Sequence, residues 1–248
     1  GQAVMETARV IKSPEELACM GQAIAVAEAA MARMRAALRP GLKENELWAI
    51  LNEVNAAQGG EWIETRLLTS GGRTNPWFQE CSDRAIRAGE LVSFDTDMIG
   101  PFGYCADISR TWVCGAAPTA NQQDLFARAR EEIAHNTALL AVGASFAELS
   151  QRTFRQRDDI AVNRYACAFH GVGLSDEYPK IPYPQDWETT GYDGEIEDGT
   201  VLSVESYVGP DGGTEGVKLE QMVQVNGDGV RLLSRFPTDL VPDVMWAG

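Results

Sequence analysis

The residue types best suited to chemistry lie between Leu91 and Trp112, in LVSFDTDMIGPFGYCADISRTW. A strand-like run from Leu91 to Phe94 leads into Asp95 and Asp97, a Gly/Pro turn follows at Gly100, Pro101 and Gly103, and a second apolar run carries Asp107. This is the pattern of a hairpin that points carboxylates inward. Strand side chains alternate with period two, so Asp95 and Asp97 face one way and Thr96 the other. Adjacent carboxylates repel, and burying them without a partner is costly, a cost that a metal ion usually removes. A single Asp beside a turn is ordinarily a solvated cap, so the reading depends on further ligands elsewhere. The candidates are His170 in HGVG, Glu205 in LSVES and Glu220 in KLEQM, each in or after a short apolar strand pattern. Singly, His170 reads as a core histidine and each glutamate as an edge-strand surface residue. Together, oxygen-rich with one imidazole, they match a pair of divalent ions sharing bridging carboxylates.

The elements that must position these residues are legible in order. Ser13-Pro14-Glu15-Glu16 is a capping box with proline at the first helical position, predicting a helix to Leu38 that Pro40-Gly41 stops. Glu44 to Ala57, with Leu47, Ile50, Leu51 and Val54, predicts a second, amphipathic helix. Glu61 to Leu68 reads as a strand and Thr69 to Gln79 as a glycine-rich loop before the hairpin. Thr119 starts a helix to about Leu140, and Ser145 with Glu148 caps a shorter one to about Asp158. Tyr165 to Phe169 reads as a strand ending at His170, and Val201 to Val208 and Gly216 to Val225 as a strand pair. Helix-helix-strand-strand thus occurs twice, which predicts an internal duplication with a site at the junction. The stretch from Ser175 to Gly199, rich in Pro, Gly and aromatics, reads as an ordered functional loop.

Composition narrows the partners. At 248 residues the chain can bury a substantial core, and a net charge of −15 argues against nucleic acid and against an anionic membrane surface. The five cysteines are spread without a CxxC, so reduced thiols in a cytoplasmic protein are the simplest expectation. No apolar run reaches membrane-spanning length and no signal peptide is visible; the chain starts at Gly1, which leaves targeting open.

The ordered set Asp, Asp, His, Glu, Glu resembles the pita-bread metallohydrolase superfamily of methionine aminopeptidase, prolidase and creatinase. The likeness covers nearly the whole chain, with IKSPEE at Ile11 to Glu16 resembling the start of that catalytic domain. It implies an α+β pita-bread fold, duplicated halves around a curved antiparallel sheet, as one catalytic domain over 1–248. The superfamily's smaller preceding domain is absent from this sequence.

Departures from the peptidase pattern are informative. Trp77, in TNPWF, stands where peptidases carry a histidine, and Ser175-Asp176-Glu177 stands where a second one follows the metal histidine. Only His135, in a helix pattern and expected at the surface, and His170 exist in the chain. The usual Arg-x-Glu-Asp becomes Lys218-Leu219-Glu220-Gln221, and the hairpin holds one acid more, with a spacing to Asp107 outside the usual single register. A peptidase without both histidines lacks the groups that bind the scissile carbonyl.

With these departures the chain resembles the metal-dependent dimethylsulfoniopropionate lyases of the same superfamily. That likeness implies Asp95, Asp97, Asp107, His170, Glu205 and Glu220 as ligands of two divalent ions. Iron is foremost, and manganese, cobalt or zinc fit the same donors. It further implies Tyr165 as a substrate-contacting aromatic, Asp176 as general base, an aromatic from the preceding domain, and a homodimer. The zwitterionic substrate would undergo β-elimination to dimethyl sulfide and acrylate, with Tyr165, Trp77, Tyr183 and Trp187 as candidate walls for its sulfonium. A carboxylate acting on a carbon acid calls for shelter by neighbours such as Leu174 and Tyr178. The competing expectations are an Xaa-Pro aminopeptidase or dipeptidase and a non-catalytic pita-bread binding module.

Overall fold

Each long helix begins where its cap predicts. In the computed structural model, which describes residues 1–241, the Ser13 hydroxyl accepts from the Glu16 amide at 3.2 Å and the Glu16 carboxylate accepts from the Ser13 amide at 2.8 Å. That reciprocal pair starts helix α2 (Pro14–Ala37), preceded by a short α1 (Gln2–Arg9). Along α2, Ala23, Ala27, Ala30, Met31 and Met34 are buried in the core that α2 shares with α3 (Glu44–Ala57) and the hairpin. Thr119 and Gln122 repeat the capping box for α4 (Ala120–Leu139). Ser145 caps α5 (Phe146–Arg152), which stops short of Asp158. It stops because Thr153 turns extended and the Phe154 amide donates to Asn136 of α4, which straps the chain sideways. A separate one-turn helix, α6 (Asp158–Ala161), follows.

Three antiparallel strands form the first sheet, in the order β1 (Leu68–Ser70), β2 (Leu91–Phe94), β5 (Arg110–Val113). Between β2 and β5 the same hairpin continues as a two-stranded tip, β3 (Met98–Ile99) with β4 (Cys105–Ala106). The tip presses on α2 so closely that a Cβ at Gly100 would reach Ala23 at 2.7 Å. The second sheet runs β10 (Gly229–Leu232), β9 (Val217–Asn226), β8 (Val201–Val208), β6 (Phe169–Val172), β7 (Asp176–Ile181). The sheets meet where β5 lies beside β9. There Thr111 accepts from the Lys218 amide at 3.0 Å and donates to its carbonyl at 2.8 Å. α2 and α3 cover the first half, while α4 packs on β8 and β9 of the second. The duplicated helix-helix-strand-strand order and the pita-bread fold are therefore as expected.

Three sequence boundaries shift. Of Glu61 to Leu68 only Leu68, the first residue of β1, lies in a strand, because the backbone before it is used elsewhere: the Glu61 and Glu64 amides donate to the Ile99 and Asp97 carbonyls, and Ile63 and Leu67 make isolated bridges. Thr69 and Ser70 belong to β1, and a 3-10 turn (Gly71–Thr74) opens the loop. Pairing of β6 begins at Phe169, so His170 lies inside the strand rather than at its end. The segment from Ser175 contains β7 and a short helix, α7 (Trp187–Thr190), and is ordered as expected.

The HGVG glycines are explained by β7. Phe169 and His170 pair with Ile181 and Lys180, but Gly171 and Val172 pair with Glu177 and Asp176, so β7 carries an extra pair of residues. The resulting bulge pushes the Tyr178 carbonyl onto Gly171, where any Cβ would overlap it, and packs Glu177 and Lys12 under Gly173. Gly171→Ala should therefore destabilise the protein by about 1–3 kcal/mol, the usual range for overpacking. Its amide-exchange protection over Asp176 to Ile181 should fall; unchanged protection there would show that the bulge tolerates a Cβ.

Candidate metal centre

The hairpin's pairing breaks where its carboxylates stand. Phe94 pairs with Arg110 and Met98 with Ala106 in one unbroken register, so Asp95 to Asp97 face Asp107 to Ser109 across a gap. One register therefore serves both sides of the gap. Thr96 fills the gap, donating to the Ala106 carbonyl at 2.7 Å and accepting from the Ile108 amide at 2.9 Å. With Thr96 turned to that side, Asp95, Asp97 and Asp107 converge. Asp97 sits at φ +35°, in the left-handed region that disfavours a side-chain-bearing residue, and its carboxylate accepts from the Thr65 hydroxyl. Such residues persist only where the surroundings hold them.

The second sheet supplies the remaining candidates. Glu205 of β8 and Glu220 of β9 are directly opposed cross-strand partners, an unfavourable placement for like charges. His170 reaches them from β6, its Nε2 lying 3.2 Å from Glu205, 3.3 Å from Asp107 and 3.5 Å from Glu220. Two overlapping donor sets result: Asp107, His170, Glu205 and Glu220, and Asp95, Asp97 and Asp107, each with ligand atoms within 4.8 Å of one another. All are buried, and Asp95 Oδ1, Asp107 Oδ1 and Glu220 Oε1 have no hydrogen-bond donor. Orphaned acceptors in a dry cluster of carboxylates fit a group that brings positive charge, and sets joined through Asp107 fit two adjacent cations.

Burial first, then the neighbouring carboxylates, pushes Asp95 and Asp107 well above the usual range. The same effects raise Asp97 to about 6 and Glu205 to about 7. Burial would also raise Glu220, but the Lys218 ammonium and His170 hold it well below the ordinary value. Lys218 is absent from the sequence-based set. Its Nζ lies 2.6 Å from Glu205 and 3.1 Å from Asp95. The signal was available, since period two on β9 puts it on the same face as Glu220.

A cleft of about 610 Å³ opens beside His170, with Asp176, Tyr165, Phe78, Tyr178 and Glu6 on its walls. Asp176, the first residue of β7, has Oδ1 3.9 Å from His170 Nδ1 and a side chain 43% exposed. Leu174 is also exposed, so the shelter expected for Asp176 is absent on that side. Glu64 was not anticipated. Burial, then Asp176 and Asp97, raises its carboxyl to about 7.

Of the candidate aromatics only Tyr165 lines the cleft, stacked on Phe78 with ring centroids 5.2 Å apart. Trp77 is buried behind it against Tyr207 and Leu67, Tyr183 donates to the buried Glu132, and the half-buried Trp187 packs against the core of the second sheet. Trp77 and Trp187, expected to face substrate, are not among the residues that line this cleft. Both sit where apolar area is covered, while the exposed Phe78, beside Trp77 in the chain, takes the wall position. His135 is exposed, as expected. Among the described residues no helix is long and apolar enough to cross a membrane.

These features agree with comparisons to known proteins. The chain is 42% identical over 245 residues to the dimethylsulfoniopropionate lyase DddP of Roseovarius nubinhibens, covering 96% of this chain and 55% of the relative. It is 40% identical to the Roseobacter denitrificans protein of the same name, over the same shares. It thus spans about half the length of these relatives. The Xaa-Pro dipeptidase of Pyrococcus furiosus is 26% identical, over 96% of this chain and 67% of that one. The solved Xaa-Pro dipeptidase from Bacillus anthracis superposes with a TM-score of 0.84 at 24% identity, over 97% of this chain and 66% of that one, a likeness of fold. The model of metallopeptidase family M24 matches residues 18–227, well over half of the sequence, and the chain belongs to that family.

Proposed function

We propose that this chain is the catalytic portion of a metal-dependent dimethylsulfoniopropionate lyase. The observation that carries the reading is the cleft: a carboxylate, Asp176, stands beside the metal histidine, and no second imidazole is present to bind a scissile carbonyl. The relatives at 40–42% identity that bear this activity in their name support it.

Asp95, Asp97, Asp107, His170, Glu205 and Glu220 would hold two divalent ions, iron first, with manganese, cobalt or zinc compatible with the same donors. When bound, the ions supply positive charge that draws electron density from the substrate carboxylate and offsets the charge growing there as the neighbouring carbon loses its proton. Asp176 takes that proton from the carbon next to the carboxylate. The freed electron pair becomes the carbon–carbon double bond of acrylate as the carbon–sulfur bond breaks and dimethyl sulfide leaves. Tyr165 and the stacked Phe78 offer an aromatic surface to the sulfonium, which cannot accept a hydrogen bond; such contacts are worth about 0.5–2 kcal/mol. The acidic chain favours a cationic group, and a cytoplasmic homodimer completes the reading. An Xaa-Pro dipeptidase is the second reading, favoured by the Pyrococcus furiosus relative.

Asp176→Asn should lower dimethyl sulfide release by at least about 10²-fold, the scale of general-base catalysis, with metal content per chain unchanged. Loss of metal in that variant would make Asp176 structural, and cleavage of Xaa-Pro peptides by the wild type would favour the dipeptidase. Tyr165→Ala should raise KM with metal content retained; a KM equal to wild type discards its role in substrate binding. Stripping the ions exposes a pH dependence. The raised carboxyls of Asp97 and Glu205 favour the protonated folded state, so their stabilisation is complete below their ordinary values, 3.8 and 4.5. It is lost as pH rises through about 6 and about 7. The Tm of ion-free protein should accordingly fall across that window, and saturating Mn²⁺ should flatten the slope; equal slopes with and without Mn²⁺ would count against a metal centre.

A further inference from the structure

Lys218 has no part in the proton transfer above, yet its ammonium is committed to the centre. The side chain is fully buried, and Nζ lies 2.6 Å from Glu205 Oε2, 2.6 Å from Ser109 Oγ, 3.1 Å from Asp95 Oδ2 and 3.5 Å from Glu220 Oε2. The Tyr165 ring centroid at 4.5 Å and the Trp77 ring centroid at 5.9 Å stand on its other contacts. Lys218 is not among the residues on the cleft wall and sits behind Tyr165, which is. Its partners come from both donor sets: Asp95 from one, Glu205 and Glu220 from the other.

We propose that Lys218 is a resident counter-cation of the metal centre, a positioning residue that holds the cage together when empty and sets its charge when loaded. The inference rests on the reading that the six side chains hold two divalent ions. Five carboxylates and a neutral imidazole carry five negative charges, and two divalent ions return four. The ammonium returns the fifth, leaving a neutral centre to receive a substrate carboxylate. Without Lys218 the loaded cage would keep one negative charge, and the empty one would lose its link between Asp95, Glu205 and Glu220. The ammonium therefore competes with the ions for the same oxygens, and its removal should tighten their binding while weakening the ion-free fold.

The test uses the whole chain, stripped with chelator and titrated with Mn²⁺ alone, comparing wild type with Lys218→Met. The variant should melt lower than wild type without ions, bind Mn²⁺ at least about tenfold more tightly, and gain more Tm on saturation. A purely structural lysine would give the opposite sign, since a damaged cage binds less well. Should Lys218→Met not fold ion-free, it is purified loaded and its Mn²⁺ release to excess chelator is timed, with release at least about tenfold slower than wild type expected. Affinity or release equal to wild type, or weaker binding, overturns the role given to Lys218. Wild-type binding of fewer than two Mn²⁺ per chain overturns the two-ion reading itself, and the charge balance with it.

Discussion

Mutual repulsion among buried carboxylates is the constraint around which this molecule is arranged. Asp95, Asp97, Asp107, Glu205 and Glu220 meet in a buried interior with three oxygens left unpaired, an arrangement that requires either protonation or compensating charge. The Lys218 ammonium provides part of that charge, the His170 imidazole provides a hydrogen-bond partner, and the orphaned oxygens fit cations for the rest. The stiff surroundings serve this convergence. Antiparallel pairing places Glu205 opposite Glu220, Thr96 locks the hairpin gap, and Thr65 holds Asp97 in a conformation that an unconstrained aspartate leaves.

Around that centre the two halves divide the work. The first supplies the three aspartates from an interrupted hairpin braced by α2, where the close approach of Gly100 to Ala23 sets the depth of the tip. The second supplies His170, Glu205 and Glu220 from consecutive sheet neighbours. Contact between β5 and β9 brings the sets together, and Arg110 secures it from inside, donating to the Ser109 and Glu220 carbonyls at 2.8 and 2.7 Å. The centre is thus a product of how two sheets meet rather than of any one motif.

The cleft holds the features on which the proposed lyase reading rests. The bulge in β7 presents Asp176 beside His170, and the glycines of HGVG make room for that bulge. Lys12, hydrogen-bonded to Glu177 at 2.7 Å in full burial, ties the start of α2 to the residue after Asp176. On the proposed reading, the Asp176 carboxylate and the Tyr165–Phe78 aromatic surface of the same cleft would serve a carbon acid bearing a cationic leaving group.

The sequence by itself determined the locally encoded parts. Capping residues and apolar periodicity placed α2, α3 and α4 almost to the residue, and short apolar runs placed β2, β8 and β9, because these signals act within a few residues of one another. The order and setting of the six acidic and histidine candidates was also readable, although it took the whole ordered set to outweigh the ordinary role of each. Tertiary structure alone decided which aromatics face the cleft. Trp77 and Trp187 cover core surface while Phe78 is left outside, since burial is settled by neighbours from distant segments. It likewise decided that Glu61 to Leu67 is not a strand, through long-range pairing of the 61–64 amides with the hairpin that no local pattern encodes, and which carboxylates Lys218 meets, although period two already put it on the face of Glu220.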